Sequence, residues 1–154
     1  MPRATLVPRR ALAIVSALPA PISNIGRPLC RQFHSSIPLR DVYKNADHHT
    51  FMKVTQAKDR VILIDFYANW CRPCHQLSPI LEKLCSDASA KSGTSDRPLD
   101  LLKIDVESKD GSVLAQQYGV TALPTVFAFR DGKTINQFRG SIPEHAVREF
   151  IKGI

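Results

Sequence analysis

Two hydrophobic periods run along the chain, and each predicts a different element. Val61-Ile62-Leu63-Ile64-Asp65-Phe66-Tyr67 carries one charge and no alternation, the pattern of a strand covered on both faces inside an α/β sheet. From Cys71 to about Ala88 the period changes, with Cys74, Leu77, Leu81, Leu84 and Cys85 recurring at helical spacing. Pro79 falls inside that pattern and predicts a kink, because it removes a backbone donor and crowds the preceding turn. Leu99–Val106 reads as the next strand, and Lys109–Tyr118 as a helix closed by Gly119. Thr125–Phe129 and Lys133–Phe138 flank Arg130-Asp131-Gly132, which predicts an antiparallel hairpin turning at Asp-Gly. Val42–Lys44 is a short strand, followed by a helix to about Ala57 capped by Asp47 or Thr50. For the last helix the expected cap is Ser141, with Pro143 in the first turn and Glu144 completing a capping box. Ser86–Pro98, rich in Ser, Asp and Gly, reads as a solvated connection. The order βαβαβαββα is an α/β sheet with a hairpin at one edge.

Charge divides the 154-residue chain in two. Residues 1–40 hold six arginines, no lysine, no acid and six of the eleven prolines, whereas the remainder is nearly neutral. Six of the seven surplus charges therefore belong to the N-terminal segment and offer no support for a nucleic-acid-binding domain. An Arg-rich, acid-free, Ser-containing start reads as a cleaved mitochondrial presequence over 1–40, placing the mature protein in the matrix. A secretory signal with an apolar stretch at 11–18 is the rival; Arg27, Arg31 and Arg40 extend the positive run too far for it. Arg31-Gln-Phe-His-Ser-Ser-Ile-Pro-Leu-Arg40 resembles the sites that processing peptidases recognise. Cleavage after Gln32, then loss of Phe33–Arg40, starts the mature chain at Asp41 and removes Cys30. The apolar run from Ala11 to Ala20 is half what a bilayer span requires, so no stable membrane association is expected. Residues 41–154 are enough for one hydrophobic core.

The chemistry concentrates in Trp70-Cys71-Arg72-Pro73-Cys74, at a strand-to-helix junction. The first amides of a helix lack partners and its dipole is positive there, so a thiolate at Cys71 is stabilised and becomes a nucleophile near neutral pH. Cys74 lies one turn further in, within reach of a mixed disulfide on Cys71, and Pro73 costs little where the N–H is unpaired anyway. Asp65 is the one charge in the buried strand. Desolvation raises its pKa and poises it to take a proton from Cys74; a strand-end Asp satisfied by the backbone is the alternative.

At this motif the chain resembles the thioredoxins, and the match extends over most of 41–154. It rests on Asp65 six residues before Cys71, Phe66-Tyr67-Ala68-Asn69-Trp70, Pro79, Tyr118-Gly119-Val120, Leu123-Pro124-Thr125, Asp131-Gly132 and Gly140. The resemblance implies a thioredoxin fold, a central mixed sheet of about five strands flanked by about four helices. It also implies a monomeric protein-disulfide reductase in cell redox homeostasis, with no bound cofactor or metal. Electrons would come from NADPH through thioredoxin reductase, and the clients would be disulfide proteins such as peroxiredoxins. By the family pattern Cys71 attacks, Cys74 resolves, and Pro124 carries a cis peptide bond facing the disulfide. Trp70, Leu123, Pro124 and Gly140 would form the client patch, with an extended client segment adding along Leu123. Core packing is the alternative for Trp70 and Leu123.

Several positions depart from the pattern or carry rival readings. Most thioredoxins have Gly at Arg72; a guanidinium there favours the thiolate and raises the potential by only roughly 6–20 mV. With Arg139 it would make the client face cationic. A lysine near the buried Asp is frequent in the family, but spacing from Asp105 puts that position at Leu101, so the role is not transferred to Lys103. Zinc needs two more ligands, and Cys85 lies roughly 16 Å further along the helix. Cys71-x-x-Cys74-His75 spells a haem-attachment pattern, but a buried strand leads into it and Met52 is the one thioether after residue 40. His75 then reads as a helix-surface residue and Cys85 as a buried small hydrophobe. The competing functional classes are a redox-inactive binding module and an oxidase or isomerase.

Overall fold

The computed structural model describes residues 41–154; the targeting segment assigned to 1–40, with Cys30, lies outside the described residues. The chain runs β1 (Val42–Tyr43), α1 (His48–Thr55), β2 (Val61–Tyr67), α2 (Arg72–Ser86), β3 (Leu99–Asp105), α3 (Lys109–Gln117), β4 (Thr125–Arg130), β5 (Lys133–Arg139) and α4 (Glu144–Lys152). The strands form one mixed sheet in the order β1-β3-β2-β4-β5. β1, β3 and β2 are parallel, while β4 and β5 run antiparallel to their neighbours.

The unbroken apolar run of β2 is explained by its central place, since it is flanked by β3 and β4 and covered on both faces. Val61 and Leu63 point into one core with Leu77, Leu81, Leu84, Val147 and Ile151 from α2 and α4. Ile62, Ile64 and Phe66 point into the other, with Phe51, Val54 and Leu114 from α1 and α3. By this alternation Asp65 belongs to the α2 side of the sheet, among aliphatic residues. The β4–β5 hairpin turns at Asp131-Gly132, both at positive φ (54° and 79°), as a two-residue turn of this hand requires.

Two expectations fail. Ser141 does not cap α4: the cap position is held by Pro143, extended at φ −68° and ψ 158° and making no side-chain cap. Glu144 instead binds Lys83 at 3.1 Å and Arg148 at 2.6 Å, tying α4 to α2. The connection after α2 is not merely solvated. Lys91 bridges to Pro98, Ser92 is buried, and the amides of Gly93 and Thr94 donate to the carbonyls of Ile151 (3.0 Å) and Ile154 (2.9 Å). At Gly93 a Cβ would stand 2.2 Å from the Lys152 carbonyl oxygen, so only glycine allows the loop to lie this close to α4.

Candidate active site

β2 ends at Tyr67, and Ala68-Asn69-Trp70 carries the chain from the C-terminal end of this central strand into α2. Cys71 occupies the N-cap of α2 in extended conformation, and its Sγ accepts the amide N–H of Cys74 at 3.3 Å. The helix start that spacing predicted is thus capped by sulfur itself, which puts the charge of a thiolate where amides point outward. Cys71 and Cys74 are disulfide-bonded, with Cα atoms 5.3 Å apart, and both are buried. Arg72 and Pro73, between them, are exposed.

The surrounding turn is held by side chains. Trp70 is 69% exposed, and its indole N–H donates to Glu107 at 3.1 Å, so it stands at the surface and not in the core. His75 does more than face solvent: Nε2 donates to the Asn69 carbonyl at 2.8 Å, bracing the loop before Cys71. Leu123–Pro124 is a cis peptide bond, as the resemblance implies. Leu123 is half-buried, packed against Ala68, Cys71 and Cys74, while Pro124 is buried. Gly140, at φ +85°, donates its N–H to the Pro124 carbonyl at 2.8 Å and fastens the end of β5 to this loop. Trp70, Val106, Val120 and Leu123 line an open apolar groove of about 260 Å³ beside the disulfide.

Asp65 lies fully buried beneath α2. Its Oδ2 accepts the Ser78 hydroxyl at 3.2 Å and its Oδ1 has no hydrogen-bond partner. Burial pushes its carboxyl up to about 6; Lys103 and the Ser78 hydroxyl pull it down, and Glu82 pushes it up slightly. A cavity of about 370 Å³ lined by Cys74, Ser78, Glu82 and Lys103 opens on this side of α2.

The lysine reading is corrected here. Leu101 pairs with Leu63, whereas Lys103 pairs with Asp65 in the parallel register. Both lie on the α2 face, two residues apart, so spacing from Asp105 selected the right face and the wrong rung. Lys103 is the charge that acts on Asp65, and it is shared: its Nζ binds Glu82 at 2.8 Å, and Glu82 also meets Lys44 at 3.6 Å. Glu82 and Ser78 were not singled out in the sequence. Their signal was spacing, since Ser78 and Glu82 are four and eight residues after Cys74 and therefore near its helix face. Among the described residues no group of three or more His, Cys, Asp or Glu is arranged to hold a metal, and Cys85 packs in the core between α2 and α4.

The thioredoxin family model matches residues 42–153, and the chain belongs to that family, whose members are thiol–disulfide oxidoreductases. It is 35% identical over 109 residues to thioredoxin Y2, a chloroplastic protein of Arabidopsis thaliana, covering 71% of this chain and 60% of that one. Mitochondrial thioredoxin 3 of Saccharomyces cerevisiae is similar in structure, with a TM-score of 0.59 at 29% identity over 73% of this chain and 95% of that chain. A chain from a structural study of thiol resolution in yeast mitochondrial 1-Cys peroxiredoxin via glutathione/thioredoxin systems matches likewise. Its TM-score is 0.59 at 27% identity, over 73% of this chain and 95% of that one.

Proposed function

We propose that this chain is a mitochondrial protein-disulfide reductase that works through the Cys71-Arg72-Pro73-Cys74 dithiol in cell redox homeostasis. One arrangement carries the reading: a disulfide at the mouth of α2, with a carboxyl buried beneath the same helix that burial pushes up to about 6. In the reduced protein the Cys71 thiolate attacks one sulfur of a client disulfide, and the other leaves as a thiolate. Asp65 takes the proton of Cys74, whose thiolate then attacks Cys71 Sγ and expels the second client sulfur. The client gains two electrons and the Cys71–Cys74 disulfide re-forms; NADPH through thioredoxin reductase restores the dithiol.

Trp70, Leu123, Pro124 and Gly140 receive the client, and Arg72 and Pro73 tune the pair. The groove beside Trp70 and Leu123 supports the first assignment, and the exposure of Arg72 and Pro73 at the helix start the second. Clients include peroxiredoxins, a reading supported by the chain from the yeast peroxiredoxin study. The protein acts as a monomer, without nucleic acid, stable membrane contact or a bound cofactor. Import rests on the Arg-rich, acid-free composition of residues 1–40 and is supported by the mitochondrial yeast neighbour; the Arabidopsis relative is chloroplastic.

Dithiothreitol-driven insulin reduction tests the activity. The wild-type chain should turn over, Cys71→Ser should not, and Cys74→Ser should accumulate a mixed disulfide. Turnover surviving in Cys71→Ser overturns the mechanism. A fluorescent protein fused after residues 1–40 should enter mitochondria; delivery to plastids or secretion overturns the location.

A further inference from the structure

The end of the sheet opposite the disulfide holds a second buried aspartate, and the beginning of the described chain sits on it. Asp100, on β3, is 1% exposed in its side chain. Its Oδ2 accepts Arg60 Nη1 at 2.7 Å, and its Oδ1 accepts the backbone N–H of Asp41 at 3.3 Å. Asp41 is gripped at two further points: its carbonyl accepts the Leu101 amide at 3.1 Å, and its carboxylate accepts the Tyr43 hydroxyl at 2.9 Å. The backbone nitrogen of this residue is therefore placed by neighbours on both sides.

Among the described residues, carboxylates outnumber bases around this point. Asp41, Asp59 and Asp100 line a cavity of about 310 Å³ with Arg60 and Lys53, three carboxylates against two bases. Arg60 is divided between Asp59 at 3.2 Å and Asp100. Burial raises the Asp100 carboxyl, Arg60 and the Asp41 N–H only partly offset this, and the carboxylate charge of Asp41 works against them. One more positive charge at the Asp41 nitrogen would relieve this without moving an atom of the fold.

Hydrolysis of the Arg40–Asp41 peptide bond creates that charge. Water adds across the bond, Arg40 leaves with the carboxylate, and Asp41 keeps the amine, protonated at neutral pH. We propose that Asp100, held by Arg60, is a receptor for the α-ammonium of a chain starting at Asp41, so that maturation by a processing peptidase stabilises the folded protein. This rests on the reading that cleavage falls before Asp41. A chain starting at Phe33 would keep a neutral peptide N–H on Asp100 and lack the ion pair.

The pairing raises the pKa of the amine above its ordinary value of about 7.7–8.0, so its stabilisation is complete below that value and is lost as pH rises through the raised one. Residues 41–154 carry the five-stranded sheet of the described residues with the cores on both its faces, and the family model spans 42–153, so this segment is a folding unit by itself. The test compares this segment with a free amine, the same segment N-acetylated, and the chain starting at Phe33, each with and without Asp100→Asn. At about pH 6.5 the free-amine form should melt about 3 °C above the other two, the gap closing by about pH 10. Asp100→Asn should remove the gap. An equal melting temperature for free and acetylated forms, or a gap that survives Asp100→Asn, overturns the proposal.

A second readout does not depend on the variant folding. The amine should react with an acylating reagent about threefold to tenfold more slowly than that of a peptide beginning Asp-Val-Tyr, and an equal rate overturns the receptor. Mass spectrometry of the organellar protein examines the processing reading separately: a start other than Asp41 overturns the coupling to maturation, while the amine's reactivity reports the receptor on its own.

Discussion

Asp65 and Asp100 are both buried in strands of one sheet, and their surroundings differ in kind. Asp100 has a partner on each oxygen, Arg60 on one and the Asp41 amide on the other. Asp65 has a serine hydroxyl on one oxygen and nothing on the other, while the nearby lysine spends its strongest contact on Glu82. Desolvation lifts both carboxyls. At Asp100 the surrounding donors hold the anion in place and make it a structural tie. At Asp65 the shortage of donors leaves the carboxyl pushed up to about 6, nearer neutral pH than an ordinary aspartate, which suits a group that exchanges a proton with Cys74. A buried acid without sufficient donors costs stability, and that cost falls next to the disulfide.

The sharpest way to break this comparison is to remove each acid. Asp100→Ala takes from Arg60 its 2.7 Å partner and from the Asp41 amide its acceptor, so chemical denaturation should show a loss of about 3–5 kcal/mol. Insulin reduction per folded molecule should be unchanged. Asp65→Asn should do the reverse on both counts. A rise of two pKa units is worth about 3 kcal/mol, less what the new amide loses in unpaired N–H, leaving a gain of about 2 kcal/mol at pH 7. Because the folded-state pKa is raised, wild-type stability falls as pH climbs from about 4 to about 6, so the advantage of Asp65→Asn should vanish near pH 4. Resolution of the mixed disulfide, followed by stopped flow, should be slowed most between pH 6 and 8. A variant as fast as the wild type there removes Asp65 from the mechanism.

Finer changes sharpen the contrast. Lys103→Met takes away the cation acting on Asp65 and should move the midpoint of the pH–rate profile upward; Glu82→Gln releases Lys103 toward Asp65 and should move it downward. Opposite shifts would show that the two carboxylates compete for one ammonium. The smallest effect belongs to the surface. Arg72 and Arg139 are exposed, and replacing both with Gly should slow reduction of an acidic peptide disulfide by about threefold at 20 mM salt. At 300 mM salt the difference should disappear, and equal kinetics at both would leave the arginines without a role in client choice.

Local pattern determined what depends on neighbours in the chain. The apolar run of β2, the helical spacing of α2, the Asp-Gly hairpin and the two cysteines around Arg72-Pro73 were all legible, because each is set by sterics, burial period or capping within a few residues. The capping box at Ser141 was legible and wrong: tertiary contacts drew Glu144 to Lys83 and started α4 after Pro143. What tertiary structure alone decided was register and docking. Which β3 residue stands beside Asp65 depends on how two parallel strands align, and a shift of two residues keeps every side chain on its face, so periodicity is blind to it. The loop against α4 and the grip of Asp100 on Asp41 join positions some sixty residues apart, as the Gly93–Ile151 and Asp41–Asp100 bonds show. Residues so far apart in sequence meet only after the sheet has assembled, which is why no local reading of the chain contains them.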